Sequence, residues 1–181
     1  NLNVAGPMYE TIPAILAWHD HGNGINVPDE SVQIVNVDVP DEGRFIAAAK
    51  ARDNGDGTWR YEYALFNLNS HRSGGSLSVP IPAGAVVSNV GFHDVDYHSG
   101  EVYDDTDWNM TVGDTSVVWS SPATHAENPN TNALRWGTMY NFWFDADVEP
   151  ASGDVTLGLF RPGTPQSVAF TVMVPGQGCF A

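Results

Sequence analysis

Alternating apolar and polar positions run through most of the chain, most clearly over residues 58–68. Every second residue of this run is large and apolar and falls on one face: Trp59, Tyr61, Tyr63 and Leu65. A period of two in aromatic and β-forming residues predicts a half-buried β-strand. The preceding residues 53–57 are rich in Asp, Asn and Gly, which tolerate positive φ, and they predict a hairpin to a partner strand at 44–51.

Further short apolar stretches recur at the spacing expected of a β-sandwich. They predict strands at residues 31–39, 76–81, 85–97, 116–120, 132–145, 154–160 and 168–174. Pro80 and Pro82 place their strand at a sheet edge, and a bulge is expected at Ile34-Val35. About nine or ten strands without an amphipathic helix predict an all-β, antiparallel sandwich of immunoglobulin-like or jelly-roll-like type.

The first 30 residues lack this regularity. We therefore divide the chain into an irregular N-terminal segment, residues 1–30, and a β-sandwich domain, residues 31–181. The run from Ile12 to Ala17, with Trp18 after it, is interpreted as a strand that packs on the core or on a neighbouring subunit. No internal repeat or low-complexity linker interrupts the chain.

The charge of the chain restricts its possible partners, because it has 22 acidic and seven basic residues and a formal net charge of −15. Such a surface repels nucleic acid and anionic lipid and suits a divalent cation or a basic partner. No apolar stretch reaches the length of about 18 residues needed to span a membrane. We therefore expect neither nucleic-acid binding nor membrane insertion, and we interpret Arg44 and Arg135 as structural partners of carboxylates, not as an anion site.

The composition is typical of an extracellular bacterial protein, being acidic, low in lysine and rich in Asn, Gly, Thr and Trp. A chain that starts at Asn1 is interpreted as a processed protein or as one part of a larger exported protein. Its single cysteine, Cys179, has no internal disulfide partner, so it pairs outside this chain or stays unpaired. The expected location is secreted, extracellular or at the cell surface.

The densest polar chemistry lies between residues 93 and 108, which hold two histidines and six carboxylates. If residues 92–98 are extended, three ligand-type side chains share one face opposite His93: Asp94, Asp96 and His98. With Glu101 in the next loop they predict a cation site, in which carboxylate oxygens favour Ca²⁺ over Zn²⁺, Mn²⁺ or Cu²⁺. The alternative is that these residues cap turns, pair with Arg135 or Arg72 and hydrogen-bond across a loop crossing.

A second pair, His19 and His21, alternates onto one side if that segment is a strand. Convergence of this pair on residues 93–98 would create a mixed histidine and carboxylate site, at which a metal ion lowers the pKa of a bound water for hydrolysis. The alternative is a polar loop that closes a strand. No zinc, EF-hand or nucleophile-elbow motif is present.

Five tryptophans offer another kind of site: Trp59, Trp108, Trp119, Trp136 and Trp143. Exposed indole rings form flat platforms on which sugars stack, whereas most large aromatic side chains fill sandwich cores. Trp136 and Trp143 fall on opposite faces of the predicted strand 132–145, so at least one of them is expected to be exposed.

Four stretches have a familiar pattern: WRYEYALFNLNSHRS at 59–73, GFHDVDYHSGE at 91–101, ALRWGTMYNF at 133–142 and GLFRPGTP at 158–165. In these stretches the chain resembles a family of uncharacterised secreted bacterial β-rich proteins, with a likeness that spans roughly residues 43–175. The resemblance implies export and a β domain, and it implies no activity.

These observations favour a non-catalytic extracellular module that builds a fibre, a surface layer or a matrix, stabilised by a cation. Its expected partners are other copies of itself or neighbouring domains of a larger exported protein. Two alternatives stay open. One is a metal-dependent hydrolase centred on residues 93–98, and the other is a carbohydrate-binding module with glycan partners.

Overall fold

The computed structural model describes residues 9–96 and 100–176, which form one short helix and ten strands. The elements are α1 (Leu16–Asp20), β1 (Gln33–Val39), β2 (Gly43–Asp53), β3 (Trp59–Asn67), β4 (Gly74–Pro80), β5 (Val87–His93), β6 (Asn109–Val112), β7 (Ser116–Ser120), β8 (Met139–Ala146), β9 (Pro150–Leu159) and β10 (Ser167–Pro175). They pair into two five-stranded antiparallel sheets, ordered β1-β2-β3-β8-β5 (sheet A) and β10-β9-β4-β7-β6 (sheet B). The predicted all-β sandwich is confirmed.

The main core lies between the two sheets and is built from alternate residues of each strand. On β3, Tyr61, Tyr63 and Leu65 are at most 3% exposed, as the period of two predicted. The two buried tyrosine hydroxyls keep hydrogen-bond partners, because Tyr61 donates to the carbonyl of Val148 at 2.6 Å and Tyr63 donates to that of Met173 at 3.0 Å.

The predicted hairpin joins β2 to β3. Gly55 and Gly57 adopt φ of 77° and 88°, which is the left-handed region that favours glycine. Between β1 and β2 the register runs without interruption, so the bulge expected at Ile34-Val35 is wrong. That pair sits in an ordinary alternating strand.

Two predicted strands differ from those observed. β4 lies in the centre of sheet B, between β9 and β7, and not at an edge as predicted. The two prolines are compatible with this position, because Pro80 is the last residue of the strand and Pro82 lies beyond it, so neither removes a hydrogen bond from the interior of the sheet. The predicted strand 132–145 begins only at Met139. Gly137, with φ of 77°, turns the chain before it.

The N-terminal segment covers the outer face of sheet A instead of forming a strand. The strand predicted from Ile12 to Ala17 is wrong, because helix α1 begins at Leu16. Ile15, 1% exposed, packs against Ala48 and Ala64, whose small side chains leave room for the helix above the sheet. Across the described part of the chain, no helix is both long and apolar enough to cross a membrane.

Candidate functional site

Strand β5 ends at His93, so the predicted alternation of residues 92–98 stops one residue after it begins. His93 is exposed and lies opposite Asn141 of β8. Asp94 and Asp96 follow outside any strand, and His98 lies outside the described residues. Asp94 and Asp96 therefore do not share the face of a strand, and the part of the expectation that concerns His98 lies outside the described residues.

Asp94 is held by a buried amide. The Nδ2 of Asn132, a residue only 1% exposed, donates to the Asp94 carboxylate and also to the Thr106 carbonyl at 3.0 Å. Its Oδ1 accepts from the Tyr140 hydroxyl at 2.6 Å. The backbone carbonyl of Asn132 accepts from the Trp108 indole at 3.0 Å. Asn132 is thus the hub that connects Asp94, Thr106 and Trp108 of the acidic segment, residues 93–108, to the core.

Partial burial raises the pKa of Asp94, and the hydrogen bond from Asn132 opposes that rise while the charge of Asp107 adds to it. A carboxylate that is desolvated and bound to a core amide is positioned to hold a loop crossing. The contact agrees with the alternative in which residues of this segment hydrogen-bond across a loop crossing.

The other predicted ligands stay apart. Asp96 and Glu101 are exposed. The nearby Asp104 accepts from the backbone N–H of Thr106 at 2.7 Å, and hydrogen bonding to the side chain and the backbone of Thr106 lowers the pKa of Asp104. Within residues 9–96 and 100–176, no three His, Cys, Asp or Glu side chains come together in a way that could hold a metal ion.

His19 and His21 lie at the end of α1 and just after it, and each has its own local partner. His19 Nδ1 is 2.9 Å from the Asp20 carboxylate, a hydrogen bond that raises the histidine pKa. His21 Nδ1 accepts from the backbone N–H of Asn26 at 2.9 Å. The pair thus lies where a helix ends and a polar loop begins, whereas the alternative places such a loop at the end of a strand.

The N-terminal segment is fastened to sheet A by an ion pair between Asp29 and Lys50 of β2, with 2.5 Å between Oδ2 and Nζ. Ser31 donates to the same carboxylate through its hydroxyl and its backbone N–H. The hydrogen bonds from Lys50 and Ser31 lower the pKa of Asp29 to about 2, from an ordinary value of 3.8.

We expect Asp29→Asn to reduce stability above about pH 4 and to have less effect as the pH falls toward 2. The folded-state pKa lies below the unfolded one, so the carboxylate's contribution is complete above the unfolded value and is lost on protonation. Thermal unfolding of the wild type and of Asp29→Asn, from about pH 2 to neutral pH, measures the stability difference between them. Asp114→Asn, in the exposed turn after β6, controls for the loss of one charge. A wild-type advantage over Asp29→Asn that stays constant with pH would contradict the expectation.

The two arginines expected to pair with carboxylates behave differently. Arg44 Nε lies 2.6 Å from Asp38 Oδ1, and the Arg44 hydrogen bond lowers the pKa of that carboxyl. Arg135 is only 6% exposed and pairs with no carboxylate of the described residues. Its Nη2 donates to the carbonyls of Pro129 and Thr131. The prediction is therefore wrong for Arg135.

The tryptophans do not form a shared platform. Trp108 and Trp119 are buried in the core, at 1% and 0% exposure. Trp143 lies across Gly91 on the outer face of sheet A, where a Cβ would fall 2.1 Å from its ring. Trp136 is 70% exposed in the turn before β8. The expectation that one of Trp136 and Trp143 is exposed is confirmed, although Trp136 lies outside the strand.

A cavity that the sequence did not reveal opens beside the ends of β7 and β9, with a volume of about 650 Å³. Its lining comes from three separate stretches of chain, and the polar residues in it include Arg72, Ser76, Ser120, Thr124, His125, Glu127, Arg161 and Gln166. These residues span 95 positions of sequence, from 72 to 166, and only the pairing of β4 with β7 and β9 brings them together. The arginine in GLFRPGTP was the one sequence signal at this cavity.

Comparison with protein-family models, with curated proteins and with solved structures finds no match to this chain. The resemblance to secreted β-rich bacterial proteins therefore stays a prediction.

Proposed function

We propose that this chain is a non-catalytic assembly module of an exported, extracellular protein, and that it joins a second copy of itself through the free edge of β6. The observation that carries the proposal is that β6 is exposed and lacks the residues that usually protect a sheet edge. All four residues of β6 are exposed, and none of them is charged or proline. Edge strands that avoid association usually carry charged side chains or proline, which prevent pairing with another strand.

The other three sheet edges are covered or interrupted. β1 and β10 meet at one side of the sandwich, where the backbone N–H of Met173 donates to Gln33 Oε1 at 2.7 Å. β5 has a register shift between Ser88 and Gly91, and Asn89 adopts a φ of 52° there. A bulge of this kind twists an edge away from a new partner. β6 is thus the edge best suited to accept a strand.

The apolar side of β6 favours another sheet edge over a polar partner. Met110 pairs with the buried Trp119, and Val112 pairs with the buried Val117, so both face the inner side of sheet B. They are nevertheless 49% and 50% exposed. A second β6, antiparallel across a twofold axis, would cover them and extend both cores at once.

Net charge sets the conditions for this association. Two chains of charge −15 repel one another at low ionic strength, and salt or a divalent cation screens the repulsion. The proposed module therefore associates more strongly as salt rises. A cation would stabilise the assembly through screening, without a dedicated site.

Sedimentation equilibrium of the wild type at low and high salt, with and without CaCl₂, tests the proposal. We expect a monomer–dimer equilibrium that strengthens with salt. Val112→Lys places a charge on the free edge and is expected to yield monomer under all conditions. Ile25→Lys is the matched control, because Ile25 is 61% exposed but lies in the N-terminal segment on the other sheet.

A wild type that stays monomeric at every salt concentration would contradict the assembly function. Dimers that persist in Val112→Lys and dissociate in Ile25→Lys would place the contact in the N-terminal segment and overturn the assignment to β6. Thermal unfolding of each variant shows whether a change in association reflects the contact or the fold.

A further inference from the structure

We propose that the cavity beside β7 and β9 binds the carboxylate of an acidic sugar, with Arg161 as the anion-binding residue. This site is distinct from the proposed assembly contact, because no residue of β6 lines the cavity, although the neighbouring strand β7 contributes Ser120. The cavity volume of about 650 Å³ falls within the range of small-ligand sites and admits a sugar unit with its substituents.

The guanidinium of Arg161 has unused hydrogen-bonding capacity. Among the described residues its Nε is buried without a hydrogen-bond partner, and its two Nη atoms, which are not buried, donate no hydrogen bond either, although the residue lines the cavity. Among the described residues, no carboxylate oxygen lies within 4.0 Å of the guanidinium of Arg72, Arg135 or Arg161. An oxyanion in the cavity that reaches the Nη donors forms charge-assisted hydrogen bonds with the guanidinium.

A second uncompensated cation lies behind the cavity wall. Arg135 stacks on Phe160, a lining residue, with its Cζ 4.8 Å from the ring centroid. In the part of the chain that the structure describes, its Nε and Nη1 atoms are buried without hydrogen-bond partners. Burial lowers the pKa of Arg135, and the nearby positive charge of Arg161 lowers it further. Three of the seven basic residues of the chain, namely Arg72, Arg135 and Arg161, thus create a positive corner in a strongly acidic molecule.

Arg72 gives this corner its rigidity. Its Nε donates to the carbonyl of Arg161 at 2.8 Å and its Nη2 donates to that of Pro165 at 2.9 Å. A Cβ on Gly163 would fall 2.6 Å from Arg72 Nη1, so the absence of a side chain at this position lets the guanidinium lie against the loop. The backbone around Arg161 is therefore fixed before any ligand arrives, which lowers the entropic cost of binding.

The rest of the lining is suited to sugar hydroxyls. The side chains of Ser76, Ser120 and Gln166 make no hydrogen bond within the described residues, so their donors and acceptors are available. His125 packs edge-on against Phe160, with 5.4 Å between ring centroids, and adds an amphipathic surface. A few polar groups around an apolar wall are typical of a small-molecule site.

Glu127 favours a single carboxylate over a multiply charged anion. Its Oε2 accepts from the backbone N–H and the hydroxyl of Thr124, at 3.0 and 2.7 Å, which lowers its pKa and keeps it ionised. A fixed negative charge on the lining repels phosphate or a polyanion more strongly than it repels a monovalent acid. The same carboxylate can accept a hydrogen bond from a sugar hydroxyl.

Titration with D-galacturonate, followed by calorimetry and by amide chemical shifts, tests this site against D-galactose, which lacks only the carboxylate. We expect saturable binding of galacturonate, with galactose about tenfold weaker or more. Arg161→Gln should weaken galacturonate binding by about tenfold or more. Arg52→Gln removes the same charge far from the cavity and should leave binding unchanged. Arg52 lies about 30 Å along β2 from Gly43, and Gly43 is the end of that strand that contacts Ser70, two residues before Arg72.

Gln166→Ala provides a second variant at an exposed lining residue whose loss does not threaten the fold, and it should also weaken binding. No saturable binding of galacturonate to the wild type would overturn the proposal. Equal binding of galactose, or an unchanged affinity in Arg161→Gln, would do the same. If acetate or sulfate binds as tightly as galacturonate, the cavity is a general anion site and the assignment to an acidic sugar is wrong.

Discussion

Replacing Trp119 with alanine is expected to destabilise the protein by about 3–5 kcal/mol, the range for truncating a buried aromatic side chain. Trp119 is fully buried, and its ring packs against Phe142 and Phe144 with centroids 5.5 and 6.1 Å away. Its Nε1 donates to the carbonyl of Gly91 at 3.0 Å and so joins sheet B to sheet A. The substitution removes packing and an inter-sheet hydrogen bond together.

For a chain of this length, we expect Trp119→Ala to lower the melting temperature by about 10 °C. Thermal and denaturant unfolding measure the change. Trp119→Phe keeps an aromatic ring but leaves the Gly91 carbonyl without its donor, so it should cost about 1–3 kcal/mol. Trp136→Ala is the matched control, because that indole is 70% exposed and its loss should change stability by less than about 0.5 kcal/mol. Equal effects at the two tryptophans would contradict the packing of sheet on sheet.

Replacing Asn132 with alanine is expected to lower the free energy of unfolding by about 2–4 kcal/mol, because one substitution removes the hydrogen-bond partner of several polar groups. Its side chain serves Asp94, the Thr106 carbonyl and the Tyr140 hydroxyl. Without the amide, Asp94 keeps its desolvation and loses the hydrogen bond that offsets it. The loss should therefore loosen the acidic segment as well as lower the global stability.

Hydrogen exchange and chemical denaturation of Asn132→Ala distinguish the two effects. We expect faster exchange at residues 100–108, which the hub connects to the core, together with the lower midpoint. Asn130→Ala, two residues earlier and exposed, is the control, and its stability should stay within about 0.5 kcal/mol of the wild type. An Asn132→Ala protein with wild-type stability would show that the hub is dispensable.

The acidic segment shows where sequence reasoning succeeded and where it failed. A dense run of histidine and carboxylate residues predicts either a cation site or a set of turn contacts, and the spacing alone favours neither. The geometry of the described part places Asp94 against Asn132, 38 positions away, and closes a turn at Asp104. Pairings at such separations depend on the path of the whole chain.

Arg135 presents the opposite case. In an acidic chain the ordinary expectation is that an arginine finds a carboxylate, and Arg44 does so six residues away at Asp38. Arg135 is instead enclosed by the rings of Tyr103 and Phe160, with its Cζ 4.2 and 4.8 Å from their centroids. Composition states how many carboxylates are present, whereas the fold decides which of them a buried cation can reach.

By itself, the sequence determined the class of the fold, most strand positions and the β2–β3 hairpin, because period-two burial and turn chemistry act over a few neighbouring residues. The tertiary structure decided that β4 is central, that the N-terminal segment forms a helix on sheet A, and that β6 is the last strand of sheet B among the described residues. It also decided which arginines, serines and rings share one cavity. These features arise from contacts between residues distant in sequence, and local patterns of polar and apolar residues do not determine which strands are neighbours in a sheet.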